Sequence, residues 1–477
     1  MALPMKIRIF LAALALAFVV LYVAVACARI AYPYELEWEE GAHVDHVLRV
    51  LSGEKLYVQP SLEFVPFFYT PLYFYVSAAA GKVLGPGFVP LRLVSILASL
   101  AAFWILFSMV RRETGSAAAG ILAAGLFAAT YKISGAWFDL ARVDSLFLCL
   151  LLAGLFALRF MKSGMGAVWA GVLIALSFLT KQTALAAASL PILAAIALNR
   201  RLGLIACGTF VGIAGLSTLL LDRLHDGWYT YYLFGIGGFP IEKSMVLGFW
   251  TRDLLFKVPV ALAASVAALA SLRTDRTRLL FYGAAILSMV LSSWFFRLHT
   301  GGYSNVLFPA YAMIAALAAW GIHDACSRPK PIDWLAGLLC VAQFALLSYN
   351  PFTRIPTAAD RKAGDELIRK LSHIEGDVLI PYHGYYSVLA GKRPHAHVSS
   401  MIDIVVSGDP VWCARLVDDI NTQLRSRRFG AIVLDREWFD KEVNANYARK
   451  EASFASPEVF WPVTGQRCRP EWIFVKK

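Results

Sequence analysis

The sequence predicts an α-helical, polytopic membrane protein of about eleven transmembrane helices plus interfacial helices, closed by a small C-terminal α/β domain outside the cytoplasm. Three observations carry this. Of 477 residues, 58% are hydrophobic and 16% are charged, against about 25% charge in soluble domains. Apolar runs of about 17–25 residues recur between positions 9 and 347, each long enough to cross a hydrocarbon core of about 30 Å. From about residue 353 the runs stop and charge rises, so 1–352 reads as the transmembrane domain and 353–477 as one soluble domain of roughly 120 residues.

The first run, 9–30, follows Lys6 and Arg8 in the manner of a signal peptide. It is long and no small-residue cleavage site clearly ends it, so it reads as a retained helix with its N-terminus inside. Further spans are expected near 90–110, 116–131, 144–160, 166–180, 183–198, 202–221, 254–271, 279–296, 304–322 and 332–349. The segment 67–84 is apolar enough to span but is broken by Pro71 and carries Lys82. Parity decides its place. If it stays at the outer surface, the basic connections at Arg111-Arg112, Lys162, Arg200-Arg201, Arg273/Arg276/Arg278 and Arg328/Lys330 all fall inside. It is therefore expected to be an interfacial helix, with Tyr69, Tyr73 and Tyr75 at headgroup level.

The loops 31–89, 132–143, 222–253 and 297–303 and the tail then meet on one side, and a composite extracytoplasmic site is implied. The net charge of +12 lies in short clusters between apolar segments, a topological pattern and not a nucleic-acid-binding face. Cysteines are sparse, and only Cys413 and Cys468 in the tail are placed to pair, in an oxidising compartment.

After the first helix comes Glu35-Leu-Glu-Trp-Glu-Glu-Gly41, then His43 and Asp45, leading into a short helix that can lie along the membrane. Carboxylates at a membrane surface can take a proton from an acceptor hydroxyl or amine, or hold a divalent ion. The bland alternative is a solvated acidic loop. A second acidic element, Asp139-Leu-Ala-Arg-Val-Asp144, opens the fourth span. An ionisable residue at a helix mouth is costly unless paired or functional, which makes Asp144 a site candidate and an Arg142–Asp salt bridge the structural alternative. Outer basic residues are few, so Lys181, in a tight turn, and Arg297 with His299 in the loop RLHTGGYSN, with Asn305, are candidate phosphate ligands. Their alternative is snorkelling toward the interface. Trp228, Tyr229, Tyr231, Tyr232 and Phe234 can anchor a loop at the interface or stack on a sugar. No nucleotide-binding glycine loop, metalloprotease helix or nucleophile elbow is present where it would carry chemistry.

These motifs resemble the polyprenyl-phosphate-sugar-dependent glycosyltransferases of the GT-C fold, which include protein O-mannosyltransferases and lipid A aminoarabinose transferase. Trp38-Glu-Glu-Gly41, Ser52-Gly-Glu-Lys-Leu-Tyr57 and Tyr69-Thr-Pro-Leu72 are similar to the family's acid pair, its turn and its proline-bearing interfacial helix. Arg142-Val-Asp144 resembles the acidic start of a later helix, and Phe178-Leu-Thr-Lys181 resembles the family's F-L-T-K segment. The resemblance covers roughly residues 9–320 and implies inverting sugar transfer from a polyprenyl-phosphate donor at the periplasmic face of a bacterial inner membrane. It implies Glu40 as general base with Glu39 second, in place of the commoner Asp-Glu, and Lys181 or Arg297 on the leaving phosphate. Arg142, Tyr69, His43, His299 and Asn305 complete the expected substrate-binding set, with Asp144 among the catalytic candidates. No cofactor is assigned; a divalent cation is the one candidate. The sequence leaves the acceptor open among lipid, glycan and protein. The rival readings are a transporter or flippase of lipid-linked sugars, against which the chain shows no clear internal repeat, and a non-catalytic membrane scaffold.

In the tail, 359–374 reads as an amphipathic helix, 378–381 and 431–434 as buried strands and 409–427 as a helix between them. Tyr382, His383, Tyr385 and Tyr386 at a strand end can touch an acceptor or pack the core. Acceptor selection is the expected role of this domain.

Overall fold

The structure is a computed structural model describing residues 3–237, 239–328, 331–406 and 409–477. Lys330, one of the basic connections, lies outside the described residues.

Each of the eleven segments expected to span is helical. They appear in the elements α1 (Leu3–Arg29), α2 (Glu40–Leu51), α3 (Leu72–Leu84), α4 (Phe88–Thr114), α5 (Ala117–Ala129), α6 (Asp144–Phe160), α7 (Gly164–Thr180), α8 (Ala184–Leu198) and α9 (Arg200–Leu224). The chain continues through α10 (Trp228–Thr230), α11 (Lys243–Gly248), α12 (Pro259–Ser271), α13 (Arg276–Arg297), α14 (Phe308–Ala325) and α15 (Ile332–Leu347). Here α2 and α3 are the two short helices expected at the interface.

By length and composition alone, five helices suffice to cross a membrane: Lys6–Arg29, Phe88–Thr114, Arg200–Leu224, Arg276–Arg297 and Ser304–Ala325. Two bent pairs bring the number to seven: Lys243–Leu255 with Pro259–Thr274 at 89°, and Ile332–Leu347 with Pro351–Ser372 at 47°. The shortfall from eleven lies in helices such as α5, α7 and α8. At 1.5 Å per residue they reach about 20–25 Å, less than a full hydrocarbon core. They are held within the bundle, where α5 packs on α1 and α4, α7 on α6 and α9, and α8 on α13.

The bundle is built around α14. Of its apolar window 89% is buried inside the protein, against 11% for α9, which therefore runs along the periphery. Small residues permit this: α14 packs most heavily on α12, where a Cβ on Gly321 would strike the backbone of Ala264. At the far end from the acidic loop, buried Glu113 is ion-paired with Arg159 Nε at 2.6 Å and Arg278 Nε at 3.0 Å, and it accepts a hydrogen bond from the Tyr282 hydroxyl at 3.0 Å. One carboxylate thus ties α4, α6 and α13 together.

The helix α3 is short, as expected, but of Tyr69, Tyr73 and Tyr75 only Tyr75 is exposed. Tyr73 is fully buried and donates to the Leu91 carbonyl at 3.0 Å, while Tyr69 is half-buried. The headgroup placement is thus corrected for Tyr73. Helix α2 departs further from expectation: Glu40 through Val47 are all buried, because α3 and the tail cover it.

After α15 the chain forms α16 (Ala358–Ser372), β1 (Val378–Leu379), α17 (Tyr385–Leu389), α18 (Val398–Val406), α19 (Pro410–Arg425), β2 (Ala431–Leu434), α20 (Asp440–Asn446), β3 (Tyr447–Ala452) and β4 (Trp472–Lys476). Thr357 and Asp360 form a reciprocal capping box that starts α16. The sheet order is β1-β2-β4-β3, parallel between β1 and β2 and antiparallel elsewhere. Both expected strands are present; β3 was not foreseen because it is exposed beyond Tyr447, and β4 because its apolar run is only four residues long. The pairing of Cys413 with Cys468 does not occur: both are free thiols, half-buried on α19 and buried before β4 respectively.

Candidate active site

Five segments far apart in sequence bring their charged residues together at one end of the bundle. The acidic loop is not solvated. Glu35, Glu37, Glu39 and Glu40 are all buried, Glu39 being the most accessible at 9%.

Glu40 is fully occupied. Arg92 Nε donates to its Oε1 at 3.0 Å and Arg92 Nη2 to its Oε2 at 2.6 Å. The Ala141 and Leu36 amides add bonds of 2.8 and 2.7 Å. Burial works against its charge, but Arg92 and these amides hold its carboxyl below the usual range. The Arg92 guanidinium also donates to the carbonyls of Tyr32 and Tyr34, so this pair locks the acidic loop onto α4. Both oxygens of Glu40, the residue expected as base, are thus taken by hydrogen bonds.

Glu39 lies on the other side of α2's first turn. One oxygen pairs with Arg142, and the other accepts from Ser399 Oγ at 2.6 Å, a residue of α18. Burial raises its carboxyl, and Arg142 with Ser399 more than reverses this, leaving it below the ordinary value. Glu37 meets the same Arg142 at 3.0 Å, while burial and the neighbouring carboxylates push its own carboxyl up. Its second oxygen has no partner.

Arg142 stacks on Trp137 with its guanidinium carbon 4.6 Å from the ring centroid, and its Nε faces Asp144 Oδ2 at 3.9 Å. Asp144 Oδ1 accepts from Lys181 Nζ at 2.6 Å and from Asn305 Nδ2 at 3.0 Å. Lys181 Nζ lies 5.6 Å from the Tyr69 ring. The row Glu37/Glu39–Arg142–Asp144–Lys181 has three carboxyls and two cations, and a proton kept on Glu37 makes it neutral.

Three expected ligands are placed differently. His43 is fully buried among Phe67, Phe74, Tyr69 and Tyr73, with Nδ1 at 3.0 Å from the Glu39 carbonyl. Burial keeps it neutral, far below the ordinary histidine value. It packs among these rings, and its Nε2 is buried without a partner. Arg297 is held by Asp253 at 3.0 Å and by the Gly302 carbonyl, so it braces its own loop. His299 bonds the Phe295 carbonyl at 2.9 Å and pairs with Ile241 in a bridge between the two loops. Of the Arg142–Asp salt bridge given as the structural alternative, the contact present is to Asp144, whereas Asp139 accepts from Arg29 Nε and Nη2 at 2.6 Å each. Among the described residues the acidic loop assembles no group of three metal-donor atoms.

Sequence reasoning missed Arg92, Ser399 and the Glu35–His383–Asp435 chain. Arg92 had a signal, an arginine in the second turn of an apolar span with no polar neighbour. Ser399 had none, because α18 is an unremarkable apolar helix.

Residues 66–220, about a third of the chain, match the family model described as dolichyl-phosphate-mannose-protein mannosyltransferase. The fold matches the crystal structure of ArnT from Cupriavidus metallidurans in the apo state, with a TM-score of 0.63 and 13% identity over 96% of this chain and 97% of that one. Against the same protein bound to undecaprenyl phosphate the TM-score is 0.52, with 14% identity over 87% of this chain and 81% of that one. No curated protein sequence matches the chain. The chain is a multi-pass membrane protein with the GT-C fold of the lipid-phosphate-sugar glycosyltransferases, the group its motifs resemble.

Proposed function

We propose that the protein transfers a sugar from a polyprenyl-phosphate donor, of the undecaprenyl type, to an acceptor at the outer face of a bacterial inner membrane. The observation that carries this reading is the buried row Glu39–Arg142–Asp144–Lys181 at one end of the bundle, beside the proline-bearing helix α3. ArnT, which has this fold, was solved with undecaprenyl phosphate bound. The orientation rests on the basic connections, which gather at the opposite end.

Glu39 takes the acceptor proton as the acceptor oxygen or nitrogen bonds to the anomeric carbon. The anomeric carbon–oxygen bond to phosphate breaks on the opposite face, which inverts the configuration. Lys181 stabilises the leaving phosphate, and Arg142 holds Glu39 ionised and aimed. Asp144 and Asn305 position the Lys181 ammonium. Residues 353–477 form the acceptor-selecting domain, with Ser399 its contact on the base.

The test is purified protein incubated with a panel of radiolabelled undecaprenyl-phosphate sugars. Wild type consumes one donor, Glu39→Gln loses at least about two orders of magnitude in turnover while still binding it, and Lys181→Met loses donor affinity. Consumption of no donor favours a transporter, and near-normal turnover in Glu39→Gln removes that residue as base.

A further inference from the structure

We propose that His383, Asp435 and Cys468 bind a divalent transition-metal ion, zinc by ligand chemistry, and that this ion ties the acidic loop to the C-terminal sheet. His383 follows β1 and Asp435 follows β2, so both stand at the carboxyl ends of the two parallel strands, where open α/β sheets bind ligands. Cys468 comes from the segment leading into β4. One donor atom from each of the three lies within 4.8 Å of the other two. A tetrahedral zinc with bonds of about 2.0–2.3 Å spaces its ligands by roughly 3.4–3.6 Å, so only small side-chain shifts are needed.

The orientation of the histidine matches a metal ligand. Nε2 faces Asp435 Oδ2 at 2.8 Å, and the opposite nitrogen, Nδ1, meets Glu35 Oε2. Histidines bound to metals carry such a carboxylate on the free nitrogen, which fixes ring and tautomer. Unsatisfied atoms point the same way: Asp435 Oδ1 and Glu35 Oε1 are buried without a partner. The Cys468 thiol lies 3.8 Å from the Gln466 carbonyl and also bonds the His383 side chain, so it already faces the histidine. A cleft lined by Glu35, Trp38, His383 and Cys468 opens beside them, giving a fourth ligand position to water. On binding, the thiol and Nε2 release their protons to solvent and three donors close on the ion. Nitrogen, thiolate and carboxylate together favour zinc over magnesium or calcium.

Glu35 is four residues before Glu39 and belongs to the membrane part, whereas the three ligands belong to the tail. The ion therefore sets the register between the candidate base and α18. This proposal does not depend on the transfer reading, since its readouts are binding and spectroscopy.

Full-length protein stripped with chelator and then given zinc alone should retain one ion per chain after desalting, by mass spectrometry of the metal. Cobalt in its place should give sulfur-to-metal charge-transfer absorption. Cys468→Ser should lose both, while Cys413→Ser keeps them. If Cys468→Ser does not fold, wild-type protein serves: zinc should slow alkylation of Cys468 on the order of tenfold or more, with Cys413 unaffected. Retention of zinc by Cys468→Ser, or alkylation of Cys468 at the same rate with and without zinc, overturns the assignment.

Discussion

At Glu40, two guanidinium contacts and two amides hold both oxygens, whereas at Glu39 one oxygen meets Arg142 and the other the Ser399 hydroxyl. The difference predicts opposite phenotypes. Arg92→Met strands Glu40 as an uncompensated buried anion and should cost about 3–5 kcal/mol, while adding Glu40→Gln should recover much of it. Thermal unfolding of the three proteins in detergent checks this; additive losses would show that the pair is not coupled. His46 carries a pH prediction. Its Nδ1 sits 2.6 Å from the Ala42 carbonyl and its Nε2 accepts the Phe67 amide at 2.8 Å, and burial lowers its pKa to about 3. A folded value below the unfolded 6.5 means the unfolded chain takes up the proton first. The contribution is complete above pH 6.5 and is lost as pH falls toward 3, at about 2 kcal/mol by pH 5. The melting temperature should drop from pH 7 to 5, and less so in His46→Gln; equal slopes would remove His46 as a source.

At the scale of elements, close approach explains where glycine stands. Gly465 has φ +75° and its missing Cβ faces Glu37 Cγ, so Gly465→Ala must both strain the backbone and displace Glu37. It should lower stability by at least about 1 kcal/mol and reduce any transfer measured for Glu39, through Arg142. An unchanged melting temperature with unchanged turnover would refute this. Elements also show what was readable. The eleven apolar segments announced themselves through run length and the helix α16 through its amphipathic spacing. Helix α2 was visible as a helix, but its burial was not, because its partners Tyr385 and Ser399 lie more than 300 positions away. Likewise Asp139 and Arg142, three apart, look like a pair until Arg29 arrives from the end of α1 and Glu37 from the first loop.

At the scale of the whole molecule, many contacts clamp the tail to the membrane part, among them Tyr34 to Asp365 at 2.6 Å and the Leu62 amide to Asp419 at 2.8 Å. Glu35 meets His383, Glu39 meets Ser399, and Trp228 meets Trp412 with ring centroids 4.8 Å apart. Tyr231 adds a bond to Asp409 at 3.2 Å, so the aromatic loop after α9 serves as a docking surface for α19. A double-mutant cycle of Trp228→Ala and Trp412→Ala should return a coupling of about 0.5–1.5 kcal/mol, as edge-to-face aromatic pairs do. Zero coupling in melting temperature and in protease sensitivity of the tail would place the clamp elsewhere. The sequence by itself determined the membrane class, the positions of the helices and the short list of ionisable residues, since run length and charge placement are local properties. Only the tertiary structure decided which partner each glutamate takes, that His43 packs among aromatic rings while Arg297 meets Asp253, and that His383, Asp435 and Cys468 meet. The physical reason is that burial and charge pairing are set by partners distant in the chain, and a run of carboxylates carries no record of which arginine will reach it.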